Sequence, residues 1–593
     1  MVDVTVPSCR HENKESGESF GQMKRSLPDA PASSPAVSVW ESITGCLSFD
    51  RLPDRPEPDP SSTKAFWWLL VVFFLIRLIY IRLLPIVPQE AYYWSYAKHP
   101  ALSYFDHPPM TAWTIALFTA IGGDTPFFVR IGTVIYTTAT LAVLFAATRI
   151  LFGSARLALA AGILSMCTVF IPLSATVATP DPPLLFFWSL ILLAMTKLLR
   201  TGQARWWYLA GASLGLGMLS KYSAALVVPG IFVWIAWDRD RRRWLLTPHP
   251  YLALAMGLVL FSPVILWNAR NEWASFAFQS SRRFGEMGTF RPLYFFKLLG
   301  SQAALLTPYI LLVVLAGWGW AGAHWWRTRD ERFGLLFWLA APVYAVFTAA
   351  SFRSLVKMNW MAPAYMSSLI AAVAWLTHSP GRVAAHFRKW ARPGLALALF
   401  LLLVAHILPL ARIVPLGRGD TWSGWPELTR KVLETKAEMG PGAFVFSSEY
   451  KISSEISFHS PHHEDTCMSE IIGGDGLQYR FWTKPGELVG RNAVFATDNK
   501  DVNSTVARLK SYFADVRPEP PLKIVYGGKT FRTFYLYRCY GYLGTGGSSR
   551  NVPHSPASDR GTVVLTVSYT LLESRVLGGG PEEETAAVPE MKA

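Results

Sequence analysis

Charge is scarce in this sequence: 16% of its 593 residues are Asp, Glu, Lys or Arg, against 51% hydrophobic and 14% aromatic. An ordinary soluble domain carries more charge, so water alone is not the solvent of this chain. Cysteine is sparse as well. Cys9, Cys46, Cys167, Cys467 and Cys539 show no metal-ligand spacing, so no zinc or iron–sulfur motif is visible. Only Cys467 and Cys539 share a region, where an oxidising compartment would let them pair or leave two free thiols. There is no Walker-type glycine loop and no Gly-x-Gly-x-x-Gly opening a helix after a strand, so ATP-driven transport and dinucleotide chemistry find no support. The net charge of +15 does not mark a nucleic-acid partner. Its Lys and Arg sit in short clusters between apolar runs, as in the cytoplasmic loops of membrane proteins.

What the sequence has in quantity is long apolar runs. A transmembrane helix needs about 20 mostly apolar residues, and such runs recur at roughly 66–86, 128–150, 156–174, 183–199, 206–219, 223–237, 250–267, 298–320, 333–350, 360–377 and 394–411. The expectation is a polytopic α-helical membrane domain over 65–412 with about eleven spans. The run 110–121 is only about 18 Å long as a helix and belongs to the first external loop. The first run lacks a small-residue cleavage signature and is followed by more spans, so it is an anchor rather than a removable signal. Residues 1–64 are rich in Pro, Ser and acids, and 544–593 in Gly, Ser, Pro and Glu, so both tails are expected to be disordered.

Between 413 and 543 the pattern changes to a small extramembrane α/β domain. Helices are predicted over Trp425–Met439 and 502–514, with strands over Ala443–Ser448, 492–497, 523–526 and 531–541. Lys and Arg resist translocation. Assigning the loops with Arg239, Arg241, Arg242 and Arg243, and with Arg382, Arg388, Lys389 and Arg392, to the cytoplasm puts the C-terminal domain outside. In a bacterium that means the periplasm, with the chain in the inner (plasma) membrane.

The external loops carry the residues that need a reason. Pro88-Gln-Glu-Ala-Tyr-Tyr-Trp94 places Glu90 at the head of an aromatic stretch containing Tyr92 and Tyr93. At a lipid–water boundary its carboxylate would be a good general base, or it is a helix N-terminal carboxylate held by backbone amides. In Tyr104-Phe-Asp-His-Pro-Pro109, Asp106 and His107 are a base pair, metal ligands or a turn. In Ala178-Thr-Pro-Asp-Pro-Pro183, Asp181 is either chemical or an N-cap. Cations also remain on the outside: Arg270, Arg282, Arg283, Arg291 and Lys297, with Arg353 and Lys357, and with Lys221. They either bind a lipid phosphate or anchor to headgroups. Arg77, in the middle of the first span, must face protein or water. Asp238-Arg-Asp240 imitates a nucleotide-sugar metal motif, but sits among arginines on the cytoplasmic side.

Glu90-Ala-Tyr-Tyr-Trp94, Tyr104-Phe-Asp-His-Pro-Pro-Met110, Thr179-Pro-Asp-Pro-Pro-Leu184, Ser220-Lys-Tyr222, Trp267-Asn-Ala-Arg270 and Lys357-Met-Asn-Trp-Met-Ala-Pro363 together resemble glycosyltransferase family 39. That is the protein mannosyltransferase and lipid A aminoarabinose transferase group with the type C membrane fold, and the resemblance covers about 66–540. It implies a polyprenyl-phosphate sugar donor, an acceptor on a glycan, lipid or protein, and a catalytic carboxylate in the first external loop. The family usually has Asp-Glu there, whereas this chain has Gln89-Glu90, so the base is Glu90 as first choice, or Asp106 or Asp181. Lys221, Arg270, Arg283 and Lys357 are then expected on the donor phosphate, and Tyr92, Tyr93, His107, Tyr222 and Asn359 on substrate. No cofactor is required on this reading. The resemblance leaves a divalent metal at Asp106 open, although 268–297 lacks the histidine expected to join it. The rival function is a transporter or flippase of lipid-linked sugars, against which stands the crowding of polar groups on one membrane face.

Overall fold

In the computed structural model, residues 41–45, 59–285, 289–411 and 420–544 are described, apart from the side chains of 281–285. Nearly all of both predicted tails, with Cys9 and Cys46, and the side chains of Arg282 and Arg283 lie outside the described residues. The first long helix, Pro60–Leu83, starts where Asp59 accepts the Ser62 N–H at 2.9 Å and Pro60 sets the first turn. Pro126–Phe152 is likewise capped by Thr125, and it stops at Gly153, whose φ of 71° is a left-handed conformation open to glycine.

Among the described residues seven helices are long and apolar enough to cross a membrane: Pro60–Leu83, Pro126–Phe152, Asp181–Thr201, His249–Arg270, Glu331–Ser351, Met358–His378 and Ala391–Ala411. Leu293–Leu306 and Pro308–Thr328 make an eighth if counted as one span bent by 107° at Thr307. This corrects the expected eleven. The run 156–174 breaks into Ala155–Met166 and Phe170–Ser174, and the runs 206–219 and 223–237 become the short helices Arg205–Ser220 and Val227–Trp237. Between those two, Lys221 has extended backbone (φ −159°, ψ 135°) and a 3-10 turn follows, which interrupts the hydrogen-bond ladder. Small residues let the short helices pack backbone to backbone. A Cβ on Gly211 would stand 2.2 Å from the Ala253 carbonyl oxygen, and one on Gly230 2.2 Å from that of Trp338. Ala362–His378 is buried along nearly its whole length in the middle of the bundle.

Arg77 faces protein, with Nη1 2.6 Å from His406 Nε2 and the rings of Phe73 and Tyr80 beneath its guanidinium. The Asp238-Arg-Asp240 pattern is a turn cap, since Asp238 Oδ1 accepts the N–H groups of Asp240 and Arg241 at 3.0 Å each.

The C-terminal region forms a sheet of β1 (Phe444–Ser447), β2 (Ala493–Thr497), β3 (Phe513–Pro518), β4 (Leu522–Tyr526) and β5 (Lys529–Tyr542). Its order is β1-β2-β5-β3, with β1 and β2 parallel and the other pairs antiparallel, while the first half of β5 pairs with β4. The helix expected over 502–514 ends at Lys510, because Phe513 and Val516 enter the sheet core as β3. Two elements were not foreseen: β3 itself and the helix Tyr450–His459. Cys467 and Cys539 are free thiols.

Candidate active site

The Pro88–Lys98 helix organises the site. Val87 precedes Pro88 in extended conformation, and Glu90 in the first turn reaches back to the Val87 N–H at 3.1 Å, a capping arrangement that starts a helix where the chain leaves the first span. The Tyr450–His459 helix packs along it. Tyr450 donates its hydroxyl to Gln89 Oε1 at 3.0 Å, Gln89 Nε2 donates to the Tyr93 hydroxyl at 3.0 Å, and Ser454 donates to the Pro88 carbonyl at 3.3 Å. The small domain is thereby fixed against the Pro88–Lys98 helix.

Glu90 is not at the expected lipid–water boundary. It is fully buried and paired with an equally buried Arg130, whose Nε donates to Oε1 at 2.7 Å and whose Nη2 donates to Oε2. The Ala178 N–H adds a bond to Oε1 at 2.8 Å. Arg130 spends its remaining donors on the carbonyls of Ile81, Leu84 and Pro85. The result is a closed knot tying the end of the first span, the Pro126–Phe152 helix and the 175–180 turn.

Asp106 lies on the other side of the same helix in a different environment. It is 5% exposed, and its Oδ1 accepts from the hydroxyls of Tyr92, at 3.3 Å, and Tyr96. Burial pushes its carboxyl up to about 6, while the two tyrosine bonds and the charge of Lys357 pull the other way. Its loop is pinned on two sides: Gln279 donates to the Asp106 carbonyl at 2.8 Å, and the Phe105 N–H donates to Gln478 at 2.7 Å. His107 stands edge-on to Tyr93 with ring centroids 5.6 Å apart.

Asp181 is the first residue of the Asp181–Thr201 helix, whose N-cap is Pro180 without a side-chain cap bond, so its carboxylate is not the expected N-cap and turns to other partners. Lys221 Nζ donates to Oδ1 at 2.8 Å and Asn359 Nδ2 to Oδ2 at 2.5 Å. Lys221 reaches it because the backbone straightens there, and Asn359 because a 3-10 turn precedes the Ala362–His378 helix. Tyr93 joins the two acids. Burial raises its hydroxyl well above the ordinary range, and the charges of Asp106 and Asp181 both add to the rise. Tyr222 bonds Ser275 at 2.8 Å beside this centre.

Of the expected residues, Asp106, Asp181, Lys221, Lys357, Tyr92, Tyr93, His107, Tyr222 and Asn359 gather on one face. They come from 88–107, 181, 221–222 and 357–359, with Gln279 of the Ala274–Gly285 helix against them. Glu90 is apart in its own knot. Arg270 ends the His249–Arg270 helix with an exposed side chain. Among the described residues no three His, Cys, Asp or Glu side chains are grouped to hold a metal ion. Sequence reasoning missed Arg130, Tyr96 and Gln478. An arginine inside an apolar span was a usable signal for Arg130, by the same argument applied to Arg77. Nothing local marked Tyr96 or Gln478.

The family model described as dolichyl-phosphate-mannose-protein mannosyltransferase matches residues 106–267, a stretch that contains Asp106, Asp181 and Lys221. The lipid A galacturonosyltransferase RgtD of Rhizobium johnstonii is 28% identical over 372 residues, covering 60% of this chain and 74% of that protein. The undecaprenyl phosphate-alpha-4-amino-4-deoxy-L-arabinose arabinosyl transferase of Pseudomonas aeruginosa is 29% identical over 317 residues, 48% of this chain and 55% of that protein, so the match spans about half its length. Among solved structures, ArnT from Cupriavidus metallidurans bound to undecaprenyl phosphate superposes with a TM-score of 0.53 at 14% identity, covering 80% of this chain and 97% of that one. The chain thus shares the membrane fold of that structure.

Proposed function

We propose that this chain is a membrane enzyme of the glycosyltransferase family 39 type, and that it moves a sugar from a polyprenyl-phosphate lipid to a hydroxyl of a lipid A-type acceptor. The names of its relatives support the classes of donor and acceptor. One observation carries the reading: two carboxylates and two half-buried lysines, drawn from stretches more than 200 residues apart, meet behind the aromatic Pro88–Lys98 helix.

Asp106 is the general base. A carboxyl held near 6 is mostly ionised at neutral pH, yet basic enough to take a proton, and its two tyrosine bonds fix its direction. The acceptor hydroxyl gives its proton to Asp106 as its oxygen bonds to the anomeric carbon, and the bond from that carbon to the lipid phosphate breaks. The charge that collects on the departing phosphate is met by Lys357 and Lys221, cations already in place. Asp181 orients Lys221 and, with Asn359 and Tyr93, faces the sugar. Arg270 belongs to the approach of the lipid phosphate. Glu90 with Arg130 is scaffold. The site opens on the non-cytosolic side, with the small domain in the periplasm of a bacterium.

The test is transfer by the purified full chain in lipid nanodiscs, given a labelled polyprenyl-phosphate sugar and lipid A. Label should move to lipid A with release of polyprenyl phosphate. Asp106→Asn should lower the rate by about 10²- to 10⁴-fold. Recovery of intact donor on the opposite leaflet, with no transfer, would instead establish the flippase reading.

A further inference from the structure

The Leu293–Leu306 helix turns away from Pro308–Thr328 by 107° at Thr307. Thr307 takes φ 71° and ψ 151° there, a conformation that disfavours a β-branched residue. The bend is therefore held against local preference. Along the helix, Leu293, Phe296 and Leu299 are exposed on one face, while Leu298, Ser301, Gln302 and Leu305 are buried on the opposite one. A glutamine on the inner face of a mostly apolar helix is costly unless its amide is answered. Packing alone would be met by a leucine.

Every group of that amide has a partner. Tyr365, buried in the Ala362–His378 helix, donates its hydroxyl to Gln302 Oε1. Gln302 Nε2 donates to the Ser301 hydroxyl and to the Met358 carbonyl, at 3.1 Å each, and Ser301 donates in turn to the Leu298 carbonyl at 2.7 Å. A carbonyl can only accept, so the bond to Met358 fixes which way the amide faces. A buried network with all its members satisfied holds one geometry.

What Gln302 holds is the turn that carries two side chains of the site. The Met358 carbonyl shares one peptide plane with the nitrogen and Cα of Asn359. The Trp360 N–H closes the turn on the Lys357 carbonyl at 3.0 Å, so Lys357 and Asn359 move with that plane. Asn359 Nδ2 reaches Asp181 Oδ2 at 2.5 Å, and the charge of Lys357 acts on Asp106. We infer that Gln302 is a positioning residue: its amide, locked by Tyr365, sets the Met358–Asn359 peptide so that Lys357 and Asn359 meet the two acids and the departing phosphate. The inference rests on the transferase reading above and deepens it.

Gln302→Met keeps the length of the side chain and removes its bonds to Met358 and Tyr365. In nanodiscs it should lower kcat by about 10- to 10²-fold, the scale of a displaced contact group, with the acceptor KM within about twofold of the parent. The acid-side midpoint of the rate should move up from its parent value near 6, because a displaced Lys357 no longer holds the Asp106 carboxyl down as firmly. That shift should vanish in a Lys357→Met background, which has no charge to displace. Tyr365→Phe, which frees the amide to turn, should act the same way more weakly, and it supplies the same readings if Gln302→Met does not fold. An unchanged kcat overturns the inference. So does a lower kcat with an unmoved midpoint, or a shift that persists without Lys357, since either makes Gln302 a packing residue. If the parent transfers no sugar at all, the transferase reading fails by itself, and binding of polyprenyl phosphate, read by native mass spectrometry, decides the role of Gln302. A Kd raised about fivefold by Gln302→Met only where Lys357 is present supports it, and an equal Kd, or a rise that does not depend on Lys357, overturns it.

Discussion

Glu90 and Asp106 are two buried carboxylates served by one helix, and their surroundings are opposite. Glu90 is fully enclosed and fully answered, by a guanidinium and two backbone N–H groups. Asp106 is nearly as buried but is answered by two neutral hydroxyls and its own backbone N–H, with the charge of Lys357 adding to them. A fully compensated acid has nothing left to offer a substrate, because any new bond must first break an existing one. An under-compensated acid keeps the basicity that burial gives it. On the proposed reading, this difference separates scaffold from chemistry more sharply than burial or position in the loop does.

The largest way to break the comparison is to exchange the roles. Asp106→Asn should lose transfer by about 10²- to 10⁴-fold while the protein still folds and binds donor, as read by single-turnover assay and thermal unfolding. The parent rate should also fall on the acid side with a midpoint near pH 6, as the raised Asp106 carboxyl takes up its proton. Stability runs the opposite way. The folded state holds that proton more tightly than the unfolded chain, so stability declines as pH rises from about 4 to 6. Asn at this position should therefore unfold no lower than the parent at pH 8, and a large drop in Tm there would return Asp106 to the scaffold.

Glu90→Gln should do the reverse. Removing one member of a buried pair leaves Arg130 uncompensated, a loss of about 3–5 kcal/mol, seen as a lower Tm and yield. The molecules that do fold should retain most of their kcat. Replacing both partners, as Glu90→Leu with Arg130→Met, should recover much of that loss. A stable Glu90→Gln protein with no transfer would make Glu90 the base after all. A smaller effect is expected on the phosphate side: Lys357→Met should raise the donor KM by about tenfold, consistent with one charge-assisted contact, whereas exposed Arg270→Ala should change it by less than threefold.

How far the sequence could be read follows the same line. The long spans were legible because about 20 apolar residues have few other uses, but length alone could not tell a crossing helix from the short, glycine-packed ones at 205–220 and 227–237. Asp106, Asp181, Lys221 and Asn359 were legible as polar residues beside aromatics and prolines between apolar runs. The burial of Glu90 was not legible, for a physical reason. Its role depends on Arg130, 40 positions away and read as part of an apolar run, and no local pattern tells a carboxylate with a partner from one without. The small domain's β1, β2 and β5 announced themselves by alternation and β-branched or aromatic residues. The Tyr450–His459 helix did not, since Ser453, Ser454, Glu455 and Ser457 take half of its buried positions and break the apolar pattern.

That serine-rich face supplies the finest test of the comparison, because it carries a third buried acid. Glu455 is 0% exposed, faces His459 at 3.3 Å, and has no other hydrogen-bond partner among the described residues. Burial pushes its carboxyl up to about 7, His459 opposes the rise, and the charge of nearby Glu90 adds to it. By the argument applied to Asp106, this acid is under-compensated, yet it sits in the seam between the small domain and the Pro88–Lys98 helix, where no substrate group is proposed. Its protonation should therefore register in docking and not in rate. The folded state binds this proton more tightly than the unfolded chain, so stability is lost as pH rises from about 4.5 to 7. Glu455→Gln should flatten the dependence of Tm on pH across that window, by about 1–3 kcal/mol between its ends, and leave the pH midpoint of transfer near 6. If the variant instead moves the midpoint, the seam and the base are coupled through the Pro88–Lys98 helix, and under-compensation by itself no longer distinguishes chemistry from scaffold.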